Sequence, residues 1–245
     1  MAGLSPSVAI EASRVLGLSI LTGLRRALGL CLALAATGPT AQPAASAAPA
    51  TGDVPYAVLY RALEPTLAMR RYPRLAAIQR VESKLPGIDP ASIRIRIGDG
   101  ASVVVVPVAR DGAMEFPLDA ALLAANPAVR TNQPAGSLTL SVTLALRVPE
   151  GARIPVAAIR EALAEADALM ASGIAGAGPQ RARGAEFRFA RDAAASLSLR
   201  GAVERLLVAD REGRIVLMRD PDLQAPAGLL EFSTAPLLVL PWMGR

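Results

Sequence analysis

The chain has 245 residues, of which 26 are basic and 21 are acidic, giving a formal net charge of +5. Apolar residues make up 52% of it, which is typical of a globular chain and excludes a disordered one. The chain has no histidine and a single cysteine, Cys31, so histidine-based catalytic triads, Cys–His pairs, internal disulfides and the usual zinc sites are excluded. The charge is mild and lacks an aromatic-flanked basic stripe, which argues against a nucleic-acid partner.

The first 50 residues have the composition of an export signal. Arg25 and Arg26 form a positive region, residues 27–36 form an apolar run, and residues 39–50 are small residues broken by prolines. An apolar run of this length is shorter than the roughly 20 residues needed to span a bilayer. The pattern therefore predicts a signal peptide rather than a membrane anchor.

The cleavage site is predicted within Ala45-Ser46-Ala47, because Ala45 and Ala47 place small residues at the two positions that signal peptidase reads. This predicts a signal peptide over residues 1–47 and an Ala/Pro-rich linker over 48–54. The mature protein would then be periplasmic or secreted, with no stable transmembrane span after cleavage.

An uncleaved anchor over residues 15–36 is the alternative, and we rank it second. It would place Arg25 and Arg26 near the bilayer centre, which costs several kcal/mol. Cys31 does not indicate a lipoprotein, because Leu30 precedes it where a small residue is required.

Helices are predicted where apolar residues recur at helical spacing between prolines or stop signals. They are 55–64, ended by Pro65; 73–85, with Leu75, Ile78, Val81 and Leu85 on one face; 118–125, ended by Asn126-Pro127; and 155–170, opened by Pro155.

Strands are predicted where apolar and polar residues alternate. They are 92–97, in a hairpin with 103–106; 137–148, the longest alternation; 186–190; 196–200; 203–208, paired with 214–218; and 228–240, interrupted by Pro236. We expect the strand 103–106 to be buried on both of its faces. Together the elements predict an α+β fold, with a mainly antiparallel sheet and three or four helices packed on one face. We expect a single domain over residues 55–245, with one place for a subdomain break near 173–183.

One candidate site follows if the predicted strands lie in a single sheet with the apolar face inward. The outward face then carries Arg94, Arg96, Arg147 and Arg188 among hydroxyl side chains. Arginine forks on a rigid surface suit carboxylate or phosphate groups, so these four residues form a candidate anion-binding surface. A solvated sheet face is the competing interpretation.

Arg70, Arg71 and Arg74 form a second small basic patch, at the start of the helix predicted over 73–85. Cations at that position oppose the helix dipole, which points to an interaction without establishing one. The remaining polar clusters favour structural roles. The carboxylates at 210–212 and 220–222 lie at turns and do not follow a calcium-loop pattern. The glycines at 173–178 lack the lysine and the element order of a phosphate loop. We therefore predict no catalytic, cofactor-binding or metal-binding residue.

Three short motifs resemble the middle of an uncharacterised family of exported gammaproteobacterial proteins, a domain of unknown function. They are Glu115-Phe116-Pro117-Leu118, Asn126-Pro127 and Thr131-Asn132-Gln133-Pro134-Ala135-Gly136-Ser137-Leu138. The resemblance covers roughly residues 55–150 and implies an envelope location, but no activity.

Two functional hypotheses follow. The first is a non-enzymatic binding or accessory protein of the periplasm or envelope, whose partner is an anionic envelope component or another envelope protein. The alternative is a hydrolase or lyase that works with carboxylates alone. Buried, convergent carboxylates in one cleft would favour the enzyme, whereas a basic surface without them would favour the binding protein.

Overall fold

A computed structural model describes residues 53–173, 181–200, 204–220, 222–224 and 227–244. Within these residues, fourteen strands form four antiparallel sheets, and helices are few. The strands are β1 (Val54–Pro55), β2 (Leu75–Ser83), β3 (Ile95–Ile97), β4 (Val104–Val106), β5 (Ala113–Met114), β6 (Ala128–Thr131), β7 (Leu138–Leu146), β8 (Arg153–Pro155), β9 (Gly184–Arg188), β10 (Ser196–Arg200), β11 (Arg205–Val208), β12 (Arg214–Met218), β13 (Leu229–Phe232) and β14 (Leu238–Trp242). The α-helical segments are α1 (Tyr56–Leu63), α2 (Pro65–Ala68), α3 (Ala120–Ala125) and α4 (Val156–Ala171).

Two of the sheets consist of strands between residues 54 and 146, and the other two consist of strands between residues 153 and 242. The strand orders are β1-β6-β3-β4, β5-β2-β7, β12-β9-β14 and β11-β10-β13-β8. The nine-residue strands β2 and β7 pair along their whole length, from Leu75 opposite Leu146 to Ser83 opposite Leu138. This long pair is the centre of the molecule, because its two ends belong to different hydrophobic cores.

The first core lies around α1 and the β1-β6-β3-β4 sheet. It also takes in Val81, Leu138 and Leu140 from one end of the β2–β7 pair. Tyr56 is completely buried there, and its ring stacks on that of Phe116 with centroids 5.4 Å apart. The Tyr56 hydroxyl donates to the Pro117 carbonyl (2.6 Å) and accepts from the Asp119 amide (2.9 Å). One side chain thus holds α1 against the segment that leads into α3.

The second core surrounds α4, the longest helix. The buried face of α4 consists of Val156, Ile159, Ala162, Leu163, Ala166, Leu169 and Met170. The sheets β12-β9-β14 and β11-β10-β13-β8 contribute Phe187, Leu197 and Phe232, and the other end of the β2–β7 pair contributes Leu75 and Leu146. Apolar area buried in this way is the main stabilising contribution to such a fold.

The prediction of a helix over 73–85 is wrong, because residues 75–83 form β2. The spacing of Leu75, Ile78 and Val81 fits a helix, and the alanines between them are strong helix formers. Pairing with β7 overrides this local preference and places Leu75, Gln79 and Val81 on one buried face. As a result, Arg70 and Arg71 lie in a 3₁₀ turn (Met69–Arg71) and Arg74 precedes β2, so the patch is not at a helix start.

Two strand predictions are also wrong in detail. The strand β11 pairs with β10 and β12 pairs with β9, so the two do not pair with each other. The hairpin of β3 and β4 is confirmed. Its second strand, however, is not buried on both faces, because Val105 is 58% exposed and only Val106 is buried. The strand β4 is an edge strand that nothing covers on its outer face among the described residues.

The local predictions that depend on capping and periodicity are confirmed for α1, α3, α4 and β7. Asp119 caps α3 by accepting from the Ala121 and Leu122 amides, and Asn126 ends it in a left-handed conformation. The mainly antiparallel sheet is confirmed, as a sheet-rich fold in four separate sheets. No helix in the described ranges is long and apolar enough to cross a membrane. The predicted signal and its cleavage residues Ala45 and Ala47 lie outside the described residues, as does most of the glycine-rich stretch at 173–178.

Candidate functional site

The four arginines of the predicted anion-binding surface do not share a sheet face. Arg94 precedes β3, Arg96 lies in β3, Arg147 follows β7, and Arg188 lies in β9. These strands belong to three different sheets, so the assumption of one continuous sheet is wrong. Alternation along each strand shows which residues point the same way, but it carries no information about which strands are neighbours.

Three of these arginines contact, or lie opposite, different neighbouring residues. Arg94 Nη1 donates to the Ala91 carbonyl (3.2 Å), and Arg188 Nε pairs with Glu186 Oε1 (2.7 Å). Arg96 lies opposite Arg130 in the adjacent strand, and Arg130 is already ion-paired with acidic residues. Arg147 differs from the others, because it lines a cleft.

The cleft lies beside β2 and has a volume of about 690 Å³. Such a volume falls within the range of about 300–1,000 Å³ that ligand sites occupy. One wall is the segment 66–73, a second wall is the segment 113–118 that contains β5, and the exposed edge of β2 over 75–79 lies between them. Arg147 closes the cleft at the end where β7 leaves β2.

Two arginines and one carboxylate supply the charge of this cleft. Arg70 lies in the 3₁₀ turn on the first wall and Arg147 lies at the end of the pair, whereas Glu115 lies on the opposite wall. All three side chains belong to exposed residues. Neither Arg70 nor Arg147 forms an ion pair with any other described residue.

Gln79 gives the cleft its shape. Its buried side-chain oxygen, Oε1, accepts from the Phe116 amide (2.9 Å). The strand β5 pairs with β2 only at Gln79 and Arg80, and the chain beyond Met114 then turns away from β2. The gap that opens where β5 leaves β2 is the cleft.

The nearby turn that precedes β5 is held by Asp111. Its carboxylate accepts from the Ala113 amide (3.1 Å) and pairs with Arg80 (3.2 Å). The Ala113 hydrogen bond is the main reason that the pKa of Asp111 lies below its ordinary value; burial opposes this effect, and Arg80 lowers the pKa further. Through these two contacts Asp111 links the turn before β5 to β2.

The carboxylates considered from sequence have structural partners. Asp222 is buried, pairs with Arg205 and accepts from the Met218 amide (2.9 Å). Asp210 closes the turn before β12 by accepting from the Glu212 and Arg214 amides. In the part of the chain that the structure describes, no group of three or more acidic, histidine or cysteine side chains could hold a metal ion.

The second basic patch is divided by its contacts. Arg74 forms an ion pair with Glu161 of α4, and its amide donates to Glu165 (2.8 Å). Arg70 instead lines the cleft. Sequence reasoning therefore identified Arg70 and Arg147 in separate groups, and missed Gln79, Glu115 and Phe116 as residues that shape the site.

Comparison with known proteins gives no relative: no family model, no curated protein and no solved structure matches this chain. The resemblance to a family of exported proteins therefore stays a prediction.

Proposed function

We propose that this chain is an exported, periplasmic or envelope-associated binding or accessory protein without enzymatic activity, and that its cleft holds an anionic group of its partner. The observation that carries the proposal is the presence of Arg70 and Arg147 in one cleft, neither of them ion-paired within the described residues. The export part rests on the sequence of residues 1–47. The finer classification as an α+β fold rests on α1 and α4 packing against the sheets.

The contrast with other arginines supports this role. Arg74, Arg80, Arg205 and Arg219 each pair with a carboxylate of this chain. Their charge is therefore already balanced by the fold. Two guanidinium groups left unpaired beside a cavity can instead form charge-assisted hydrogen bonds with a carboxylate or phosphate from outside.

The hydrolase or lyase alternative has no support in this cleft. Such an enzyme needs two carboxylates that converge on the reacting bond. Among the residues that the structure describes, Glu115 is the only acidic one that lines the cleft. With two arginines and one carboxylate, the cleft is better suited to hold an anion than to carry out acid–base chemistry.

The test uses the full chain and two anionic probes, poly-L-glutamate and vesicles that contain phosphatidylglycerol. The double substitution Arg70→Gln with Arg147→Gln should weaken binding of the anionic probe at least about tenfold, because each charge-assisted bond contributes about 1.5–3 kcal/mol. Arg94→Gln with Arg96→Gln is the matched control, since it removes the same charge outside the cleft. Binding by the unsubstituted chain should also weaken as salt rises.

Three results would contradict the proposal. Failure of the unsubstituted chain to bind either probe would remove the binding function. Equal losses in the two double variants would show a non-specific charge effect. A loss confined to the Arg94/Arg96 variant would place the site on the surface predicted from sequence rather than in the cleft.

A further inference from the structure

The edge of β2 that faces the cleft has main-chain groups that pair with no strand among the described residues. In an antiparallel pair, successive residues direct their amide and carbonyl groups to opposite sides. The Arg147 amide donates to the Arg74 carbonyl (2.7 Å), and the Lys84 amide donates to the Ser137 carbonyl (2.7 Å), so even-numbered residues of β2 face β7. The odd-numbered residues face the other side, where the Val81 amide donates to the Gly112 carbonyl (2.9 Å).

That other side is covered by β5 over only part of its length. Gln79 is opposite Met114, so the next position along the same ladder would place Ala77 opposite Phe116. The Phe116 amide donates to the Gln79 side chain instead, and the ladder stops there. Ala77 thus directs an amide and a carbonyl into the cleft, and neither is bonded to another described residue.

The neighbouring groups extend this edge by one position. The Leu75 amide donates to the Tyr72 carbonyl (3.0 Å), which leaves the Leu75 carbonyl on the cleft side. Residues 76 and 77 are alanines, whose small side chains leave room on both faces of the strand. Alanine is depleted in strands, because its small side chain packs little. Two alanines in succession at an open edge therefore leave that edge accessible to an incoming chain.

Charge surrounds this edge asymmetrically. Arg70 and Arg147 lie with residues 75–77 at the end where β5 is absent, and Glu115 lies on the wall that β5 continues into. An incoming chain with an acidic side chain at the Arg70 and Arg147 end would therefore meet complementary charge.

We propose that the cleft binds an extended, acidic peptide segment of a partner protein, which adds as a strand to the β2 edge at Leu75–Ala77 and places a carboxylate between Arg70 and Arg147. This inference rests on the proposed function and specifies its partner. Strand addition uses main-chain hydrogen bonds for affinity and alternate side chains for specificity. A lipid headgroup could meet the arginines but would leave the Ala77 amide and carbonyl without partners.

The first test distinguishes strand addition from simple charge attraction. The probe is an acetylated and amidated hexapeptide of alternating valine and glutamate, added to the full chain in a binding titration. Two analogues carry N-methyl groups, one on the valines and the other on the glutamates. Alternate amides of a strand face opposite sides, so one analogue should lose at least about tenfold in affinity while the other, of equal charge, binds as before. A lysine-for-glutamate hexapeptide should not bind.

The second test changes the strand edge itself. Ala77→Pro removes the free amide and fills the edge with the proline ring, a change that edge strands tolerate. We expect it to weaken hexapeptide binding at least about tenfold while leaving the affinity for phosphatidylglycerol vesicles, which carry charge but no peptide main chain, within about twofold. Glu115→Gln is the control, because it removes the negative charge of the cleft instead of a positive one. It should leave hexapeptide binding unchanged or strengthen it.

The outcomes separate this inference from the function on which it rests. If both N-methylated analogues bind like the parent peptide, and binding still depends on Arg70 and Arg147, the cleft is an anion site without strand addition and the inference is wrong. Selective binding of phosphatidylglycerol vesicles over the hexapeptide also overturns it. If no anionic probe binds, the proposed function fails as well. Should Ala77→Pro not fold, the pair of N-methylated peptides decides the question alone.

Discussion

The two hydrophobic cores of this protein are packed to different degrees. In the second core, six of the α4 residues that face the sheets are 0% exposed, and so are Phe187, Leu197 and Leu217. Of the described residues in the first core, only Tyr56 reaches that value. An apolar cavity of about 40 Å³ remains inside the first core, and its lining shares Met114 and Phe116 with the cleft.

The cleft lies where these two cores meet, since Leu75 of the second core and Phe116 of the first core both line it. Protein interiors are close-packed, and residues in a filled core have little freedom to move apart. The second core therefore holds one end of the β2–β7 pair fixed. The open edge of β2 at Leu75–Ala77 begins at that fixed end, whereas the opposite wall of the cleft, at 113–118, packs against the first core, which leaves space around β5.

Truncation in the second core should have the largest effect. Phe187→Ala removes a fully buried ring whose centroid lies 5.0 Å from that of Phe232, and we expect a loss of about 3–5 kcal/mol in the free energy of unfolding. Urea unfolding measures this loss. Leu237→Ala is the control, since Leu237 is 75% exposed and its truncation should change stability by less than about 0.5 kcal/mol. Equal losses of unfolding free energy in the two variants would contradict the placement of Phe187 in a packed core and of Leu237 at the surface.

A smaller loss is expected at Gly112, in the turn that precedes β5. Its φ is +79°, and an added Cβ would lie 2.5 Å from the Val81 carbonyl oxygen. Gly112→Ala should therefore lower the free energy of unfolding by about 3 kcal/mol, because the strained backbone and the contact must both be relieved. Since this turn positions β5, hexapeptide binding should weaken as well. Unchanged binding in the folded variant would show that β5 does not shape the site.

Tyr56→Phe should have the smallest of the three effects. It removes the hydroxyl that bridges Pro117 and Asp119, at a cost of about 1–2 kcal/mol. Burial raises the pKa of Tyr56, with the nearby charge of Asp119 adding to the rise and the Asp119 amide opposing it. The stability that this group contributes is present below the ordinary tyrosine pKa of about 10 and is lost as pH rises through the higher folded value. The difference in unfolding free energy between the two chains should therefore shrink in strongly alkaline solution. A constant difference would mean that the pKa of the Tyr56 hydroxyl is the same in the folded and unfolded chains.

Sequence alone predicted the elements whose signals are local. The face of α4 and the alternation of β7 follow from the order of neighbouring residues, and both are confirmed. The strand β2 was misassigned because its apolar residues fit helical spacing, and its true partner lies far along the chain.

The site could be predicted only in fragments. Arg70 and Arg147 were each identified as part of a basic group, but no local pattern shows that the two meet. The two arginines come together because β2 pairs with β7, and the prediction of a helix over 73–85 excluded that pairing. The role of Gln79 was also invisible, because a polar residue in an apolar run does not indicate which distant amide it binds.

The most direct test of this account is residue-resolved amide hydrogen exchange of the full chain, with and without the valine–glutamate hexapeptide. In the free protein, the Ala77 amide should exchange faster than those of Ala76 and Ile78, which face β7. The hexapeptide should slow exchange at Ala77 and leave the amides of α4 unchanged. An Ala77 amide already protected in the free protein, or protection gained around Arg94 and Arg96 instead, would contradict the assignment of the open β2 edge as the binding site.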